Sequence, residues 1–187
     1  MLNTKNIKFK GLSMSFIGVI SNRKFYDNIN KQILEKNKEN DITIIYLNIR
    51  NLENFKNIKF QVIIMDSNME IEISKLENIN ILQKICDKAK FILINLDKNQ
   101  KSIIKKIALN NIITYGLNQK ADITISSITE NTILIYWQKN IKINNKDLGE
   151  IEEIKIWLDS NSKLNIYETL IIYNIFRIAK GKKMCLI

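Results

Sequence analysis

Short apolar runs alternate with amphipathic segments over the first 115 residues, and this order constrains the fold more than any other feature. Phe25–Lys36, Leu76–Ala89 and Gln100–Leu109 carry apolar residues at helical spacing. Alternation of strand and helix favours right-handed crossovers between parallel strands. We therefore predict an α/β fold with a mostly parallel, Rossmann-like sheet flanked by helices. The predicted strands are Met14–Ile20, Ile42–Leu47, Phe60–Met65, Phe91–Asn95 and Asn111–Tyr115.

The pattern changes after Gly116, where alternate residues become apolar. Ala121–Ile128, Thr132–Ile143 and Ile151–Leu158 predict an antiparallel extension of the sheet with one solvated face. A turn is expected at residues 144–147. We expect Trp137 and Trp157 to pair across neighbouring strands, with a partner surface as the alternative role. The last element, residues 164–180, predicts a buried helix because it is apolar around most of its circumference. We predict a single domain over residues 1–187, with residues 1–13 as an irregular N-terminal segment.

Composition excludes several classes of function. The chain has 29 Lys+Arg against 19 Asp+Glu, a formal charge of +10, but the lysines are spread among acidic residues rather than clustered. A nucleic-acid surface is therefore disfavoured. There is no histidine and there are two distant cysteines, so neither a zinc site nor a disulfide framework is predicted. No apolar run reaches membrane-spanning length and no secretory signal is evident, so we expect a cytoplasmic protein.

Three motifs follow one another in the C-terminal half: FILINLDK, then IITYG, then LNIYETLIIYNIFRIAKG. In this order they resemble the central ATP-binding domain of the Mur ligases, which join amino acids to a peptidoglycan precursor. Asn95 and Asp97 fit the family's Asn-x-Asp-Asp, whose asparagine contacts adenine. Gly116 fits its Thr/Ser-aromatic-Gly turn, and Asn165 and Tyr167 fit its His-Asn-x-x-Asn helix. The resemblance implies nucleotide-binding roles for Asn95, Asp97, Gly116 and Asn165.

The residues that handle phosphate in that family are missing. There is no G-x-x-x-x-G-K-[ST], and residues 21–24, which follow the first strand, contain no glycine for a nest of backbone amides. Lys98, Leu164 and Glu168 replace the second aspartate, the histidine and the second asparagine of the family's motifs. We also expect the family's C-terminal domain to be absent. Asp66 and Glu70 are weak metal candidates, since a solvated loop beside a helix N-terminus explains them as well.

These observations favour a non-catalytic, Mur ligase-like domain that acts as a binding or regulatory module, linked to cell-wall metabolism by the resemblance. No catalytic residue or cofactor is predicted, and ATP with Mg²⁺ is disfavoured because the phosphate cradle is missing. The alternative is a nucleotide-dependent enzyme with a non-standard site around Asp66, Asn95 and Asp97. A simpler role for Asn95 and Asp97 is to cap a helix beginning near Asn99. We expect the apolar C-terminal helix to bind a second copy or a protein partner.

Overall fold

The structure is a computed structural model that describes residues 14–38, 41–66, 76–98, 111–143, 146–149, 151–158 and 164–180. The strands are β1 (Ser15–Ser21), β2 (Ile42–Tyr46), β3 (Val62–Asp66), β4 (Phe91–Asn95), β5 (Ile112–Tyr115), β6 (Ile123–Ile128), β7 (Thr132–Trp137), β8 (Ile141–Ile143), β9 (Lys146–Gly149) and β10 (Glu152–Trp157). The helices are α1 (Arg23–Lys36), α2 (Leu76–Asp87) and α3 (Ile166–Lys180), with a 3₁₀ helix at Ile49–Phe55. The predicted helix at residues 100–109 lies outside the described residues.

Eight strands form the main sheet in the order β10-β7-β6-β5-β4-β3-β1-β2. The strands from β2 to β6 are parallel, whereas β7 pairs antiparallel with both β6 and β10. The predicted α/β fold and its antiparallel extension are therefore confirmed. Helices α1 and α3 contribute to the hydrophobic core on one face of the sheet, and α2 and the 3₁₀ helix to the core on the other.

Some predicted details of the extension were wrong. The expected long strand over residues 132–143 is divided into β7 and β8, and β8 pairs with β9 in a separate two-stranded sheet. Strand β7 ends where its partner β6 begins: the Gln138 side chain donates to the carbonyls of Gln119 and Ala121, just before β6. The tryptophans do not pair, because Trp137 lies opposite Glu152 and Trp157 lies opposite Thr132.

The central strands are buried on both faces, as their continuous apolar sequences predict. The alternation is visible in β1, where Ile17 and Val19 contribute to the core beside α1 and α3. Ile20 contributes to the core beside α2. Position 18 of this strand favours glycine, because a Cβ there would be 2.6 Å from the Leu47 side chain. The glycine thus lets the segment after β2 pack closely against β1.

Helix α3 is buried within a single chain from residue 168 to residue 178, which confirms the predicted buried helix. Some of its polar groups are bonded locally: the Asn174 side chain donates to the Leu170 carbonyl at 2.7 Å. The Arg177 guanidinium lies 3.9 Å from the centroid of the Trp137 ring and donates to Glu152. In the described part of the chain, no helix combines the length and apolar character that crossing a membrane requires.

Candidate functional site at the carboxyl edge of the sheet

A buried carboxylate lies at the carboxyl ends of three adjacent parallel strands. β3, β4 and β5 end side by side, and this brings together Asp66, Asn95 and Tyr115, none of which is exposed. Asn95 Nδ2 donates to Asp66 Oδ2 at 2.8 Å, and the Tyr115 hydroxyl donates to the same oxygen. Lys98, just beyond β4, places its Nζ 2.6 Å from Asp66 Oδ1 and 3.3 Å from the Asp66 carbonyl oxygen. The Asp66 carboxylate therefore accepts from two buried neutral donors and one cation.

The charge of Asp66 is compensated from within the chain. A buried carboxylate is strongly destabilising unless it is paired and hydrogen-bonded, and Lys98 provides the counter-charge. The Lys98 side chain is 31% exposed, so its ammonium bridges the buried carboxylate and the solvent. Burial, together with the neighbouring Asp66 carboxylate, raises the pKa of Tyr115 well above its usual value. The phenol thus stays protonated and keeps donating to Asp66.

A second carboxylate, Asp97, holds the turn that follows β5. It accepts from the backbone N–H groups of Leu117 and Asn118, the latter at 3.0 Å, and from the Tyr167 hydroxyl at 3.1 Å. Gly116 allows this approach: its φ is +155°, and a Cβ there would lie 2.5 Å from Asp97 Oδ2. Burial, with Asp97 beside it, raises the pKa of Tyr167. Asp97 therefore links the end of β4, the turn after β5 and the start of α3.

The start of α3 forms a reciprocal cap. The Glu168 N–H donates to Asn165 Oδ1 at 2.9 Å, and the Asn165 N–H donates to Glu168 Oε2 at 2.8 Å. This is the geometry of a capping box. Asn28 of α1 donates to the other Glu168 oxygen at 2.8 Å. A buried acidic side chain thus ties the first turn of α3 to α1.

Asp66, Lys98 and Glu168 are among the residues that surround a cleft of about 270 Å³. It opens at the carboxyl edge of the sheet, where open α/β folds bind their ligands. Lys24, in the first turn of α1, is exposed and makes no ion pair with a described residue. Lys98 pairs with Asp66, and the Glu168 carboxylate offsets Lys24 in formal charge, so the N-terminus of α1 beside Lys24 adds the remaining positive partial charge. The lining residues are Asn22, Lys24, Phe25, Asn28, Asp66, Lys98, Asn165, Tyr167 and Glu168.

The structure brings most of the predicted site residues together. Asp66 and Asn95 share a hydrogen bond, and the Asp97 N–H donates to Asn95 Oδ1 at 3.0 Å. Gly116 packs against Asp97, and Asn165 lines the cleft. Their nucleotide-binding roles remain predictions, and both polar atoms of the buried Asn95 amide already have partners within the chain.

Other predictions for this region fall outside the described residues. Glu70, the second metal candidate, and the helix expected near Asn99 lie there. Within the described ranges, no group of three or more His, Cys, Asp or Glu residues could hold a metal ion.

Several residues of the site were missed in the sequence. Lys98 was noted only as a replacement in a motif, although a cation three residues after a strand that ends in a polar side chain can reach a neighbouring strand end. The pairing of Asn28 with Glu168 spans 140 residues and has no signature in the local pattern. Lys24, by contrast, lies directly after the carboxyl end of the first predicted strand and its cap. The alternation of parallel strands and helices would therefore place it at the edge of the sheet where the cleft lies.

Comparison with known proteins identifies no family for this chain. Neither a protein-family model nor a curated protein sequence matches the chain.

Proposed function

We propose that this protein is a non-catalytic binding module, a degenerate relative of the Mur ligase central domain, whose cleft holds a small anionic ligand. The observation that carries the proposal is the contact between Lys98 and Asp66 at 2.6 Å. In phosphoryl-transfer sites, carboxylates near strand ends hold Mg²⁺, which neutralises the charge on the phosphates. Here an ammonium of the same chain contacts the carboxylate, so the positive charge at this position is already present without a metal.

The charge and size of the cleft support the kind of ligand proposed. Lys24 and the N-terminus of α1 favour a negatively charged group, whereas the Glu168 carboxylate in the same lining accepts from Asn28 and Asn165. Amides of Asn28 and Asn165, the latter in the cap of α3, lie around the same space. A volume of about 270 Å³ falls just below the ~300–1,000 Å³ typical of ligand pockets. A monophosphate or a small carboxylate therefore suits the cleft better than a triphosphate does. A cytoplasmic location, which rests on the sequence pattern, and a link to cell-wall metabolism, which rests on the resemblance alone, are part of the proposal.

Calorimetry with AMP and with inorganic phosphate tests the proposal, alongside an assay of ATP hydrolysis in the presence of Mg²⁺. We expect binding that Lys24→Met weakens by about 10–100-fold, the value of one charge-assisted hydrogen bond. Lys31→Met is the matched control, because Lys31 lies two turns further along α1 and pairs with Glu35. We expect ATP turnover at background level. Magnesium-dependent turnover that Asp66→Ala abolishes would contradict the proposal.

A second candidate is a nucleotide-dependent enzyme with a non-standard site. The convergence of Asp66, Asn95 and Asp97 at one edge of the sheet, with Lys98 among them, favours it. Lys98→Met separates the two candidates. An enzyme that uses the Lys98 ammonium would lose its turnover, whereas a binding module would keep the phosphate affinity that Lys24 provides.

Association through α3, expected from the sequence, also remains a proposal. Sedimentation of the full chain at micromolar concentration tests it. The burial of residues 168–178 within one chain removes the exposed apolar surface that motivated it.

A further inference from the structure

One edge of the main sheet carries exposed apolar and charged side chains. β10 is the terminal strand and pairs only with β7 among the described strands. Glu153, Lys155 and Trp157 project from its solvated face, and Trp157 is 58% exposed. Ile151, just before the strand, is 55% exposed. A strand of this kind offers a row of backbone groups to another strand.

The hydrogen bonds to β7 determine which backbone groups of β10 point outward. Leu158 donates its N–H to the Asn131 carbonyl at 2.8 Å, so even-numbered residues of β10 bond towards β7. Backbone groups alternate in direction along a strand. The N–H and C=O groups of Glu153, Lys155 and Trp157 therefore face away from β7.

We propose that two copies of this chain associate by antiparallel pairing of their β10 strands, which joins the two main sheets into one. The outward-facing backbone groups of one β10 strand must bond to those of the other, so odd-numbered residues of one copy pair with odd-numbered residues of the second. One register places Glu153 opposite Lys155 of the second copy, and by symmetry Lys155 opposite its Glu153. The same register places Ile151 opposite the exposed Trp157 of the second copy. Ile154, half-buried at the centre, then lies opposite its own counterpart on the two-fold axis.

Charge selects this register over its neighbours. A shift by one pair in one direction places Lys155 opposite Lys155, and a shift in the other places Glu153 opposite Glu153. Like charges directly opposite each other destabilise a strand pair, and opposite charges stabilise it. The other edge strand, β2, has the sequence ITIIY and carries no charge that could select a register. The self-complementary pattern is therefore a property of β10.

Sedimentation equilibrium of the full chain tests the pairing. We expect a monomer–dimer equilibrium that Lys155→Glu weakens by about tenfold, because each dimer contains two Glu–Lys pairs. Glu153→Lys has the same expected effect. The double variant Glu153→Lys/Lys155→Glu restores dimerisation, since it exchanges the partners without losing complementarity. Lys31→Glu, an equal charge change on an exposed face of α1, is the control and leaves the equilibrium unchanged.

Cross-linking gives a second measurement that does not depend on charge. In a Cys185→Ser background, Ile154→Cys should form a disulfide-linked dimer on mild oxidation. Directly opposed residues on the two-fold axis come within disulfide range. Ile128→Cys, which lies on β6 and is more exposed than Ile154 in the parent chain, should not. A chain that stays monomeric, or a double variant that fails to restore association while keeping its circular dichroism spectrum, would overturn the proposal.

Discussion

Removal of the Asp66 carboxylate should destabilise the fold more than any change to a surface ion pair. Asp66→Ala leaves the Tyr115 hydroxyl and the Asn95 amide buried without their acceptor. Each orphaned donor costs about 1–3 kcal/mol. Lys98 adds little to this loss, because its side chain is 31% exposed and can turn towards solvent. We expect a decrease of about 3–5 kcal/mol in the free energy of unfolding.

A double-mutant cycle isolates the contribution of the internal cation. Lys98→Met alone leaves Asp66 buried with two neutral donors and no counter-charge, at a cost of about 2 kcal/mol. In an Asp66→Ala background the same substitution should cost less than about 0.5 kcal/mol. The coupling free energy is then about 1.5–2 kcal/mol. Urea unfolding of the four proteins, followed by far-ultraviolet circular dichroism, measures it.

The exposed pair Lys56–Glu53 provides the matched control. Its side chains are 47% and 54% exposed, and exposed pairs couple by only about 0.2–1 kcal/mol. A coupling at Asp66–Lys98 no larger than this control would refute the idea that Lys98 neutralises a buried charge. A loss below about 1 kcal/mol in Asp66→Ala would refute the burial argument itself.

Three further predictions concern the same edge of the sheet and the core. Gly116→Ala should lower stability by about 1–3 kcal/mol in thermal unfolding, since the new Cβ meets the Asp97 carboxylate at 2.5 Å and φ is +155°; an unchanged melting temperature would contradict this. Burial raises the pKa of Cys86 to about 12, so in a Cys185→Ser background its thiol should react with a disulfide reagent only as fast as the chain unfolds. Because the folded state keeps the Tyr115 proton while the unfolded chain releases it near pH 10, the contribution of this group is complete below pH 10 and falls as the pH rises further. Tyr115→Phe should therefore be less stable at pH 7 but lose less stability between pH 10 and pH 11, as measured by urea unfolding at each pH.

The parallel sheet could be predicted because its strands are apolar throughout and alternate with amphipathic helices. Periodicity identifies elements but not their neighbours in space. The sequence therefore indicated that Asp66 and Asn95 end strands, whereas their hydrogen bond depends on β3 lying next to β4. The same limit explains the wrong prediction for Trp137 and Trp157. Strand register determines which residues lie opposite each other, and the sequence indicated only that both tryptophans belong to strands of the sheet.

The sequence predicted which polar residues of the candidate site lie at strand ends, but not the hydrogen bonds that connect them. Asp97 accepts from the N–H groups of Leu117 and Asn118, contacts that the sequence did not indicate, and its capping of a helix near Asn99 stays a prediction. These contacts depend on the course of the chain after β5. Lys98 likewise reaches Asp66 because β3 and β4 are neighbours, a fact that local pattern does not contain.

The hydrogen bond between Asn28 and Glu168 makes the cleft depend on two helices that are far apart in the sequence. One wall comes from α1 and the other from α3, and the two bonded residues are 140 positions apart. Closing a loop of this length has an entropic cost that local contacts do not offset. During synthesis, the cleft therefore stays incomplete until α3 has left the ribosome and docked.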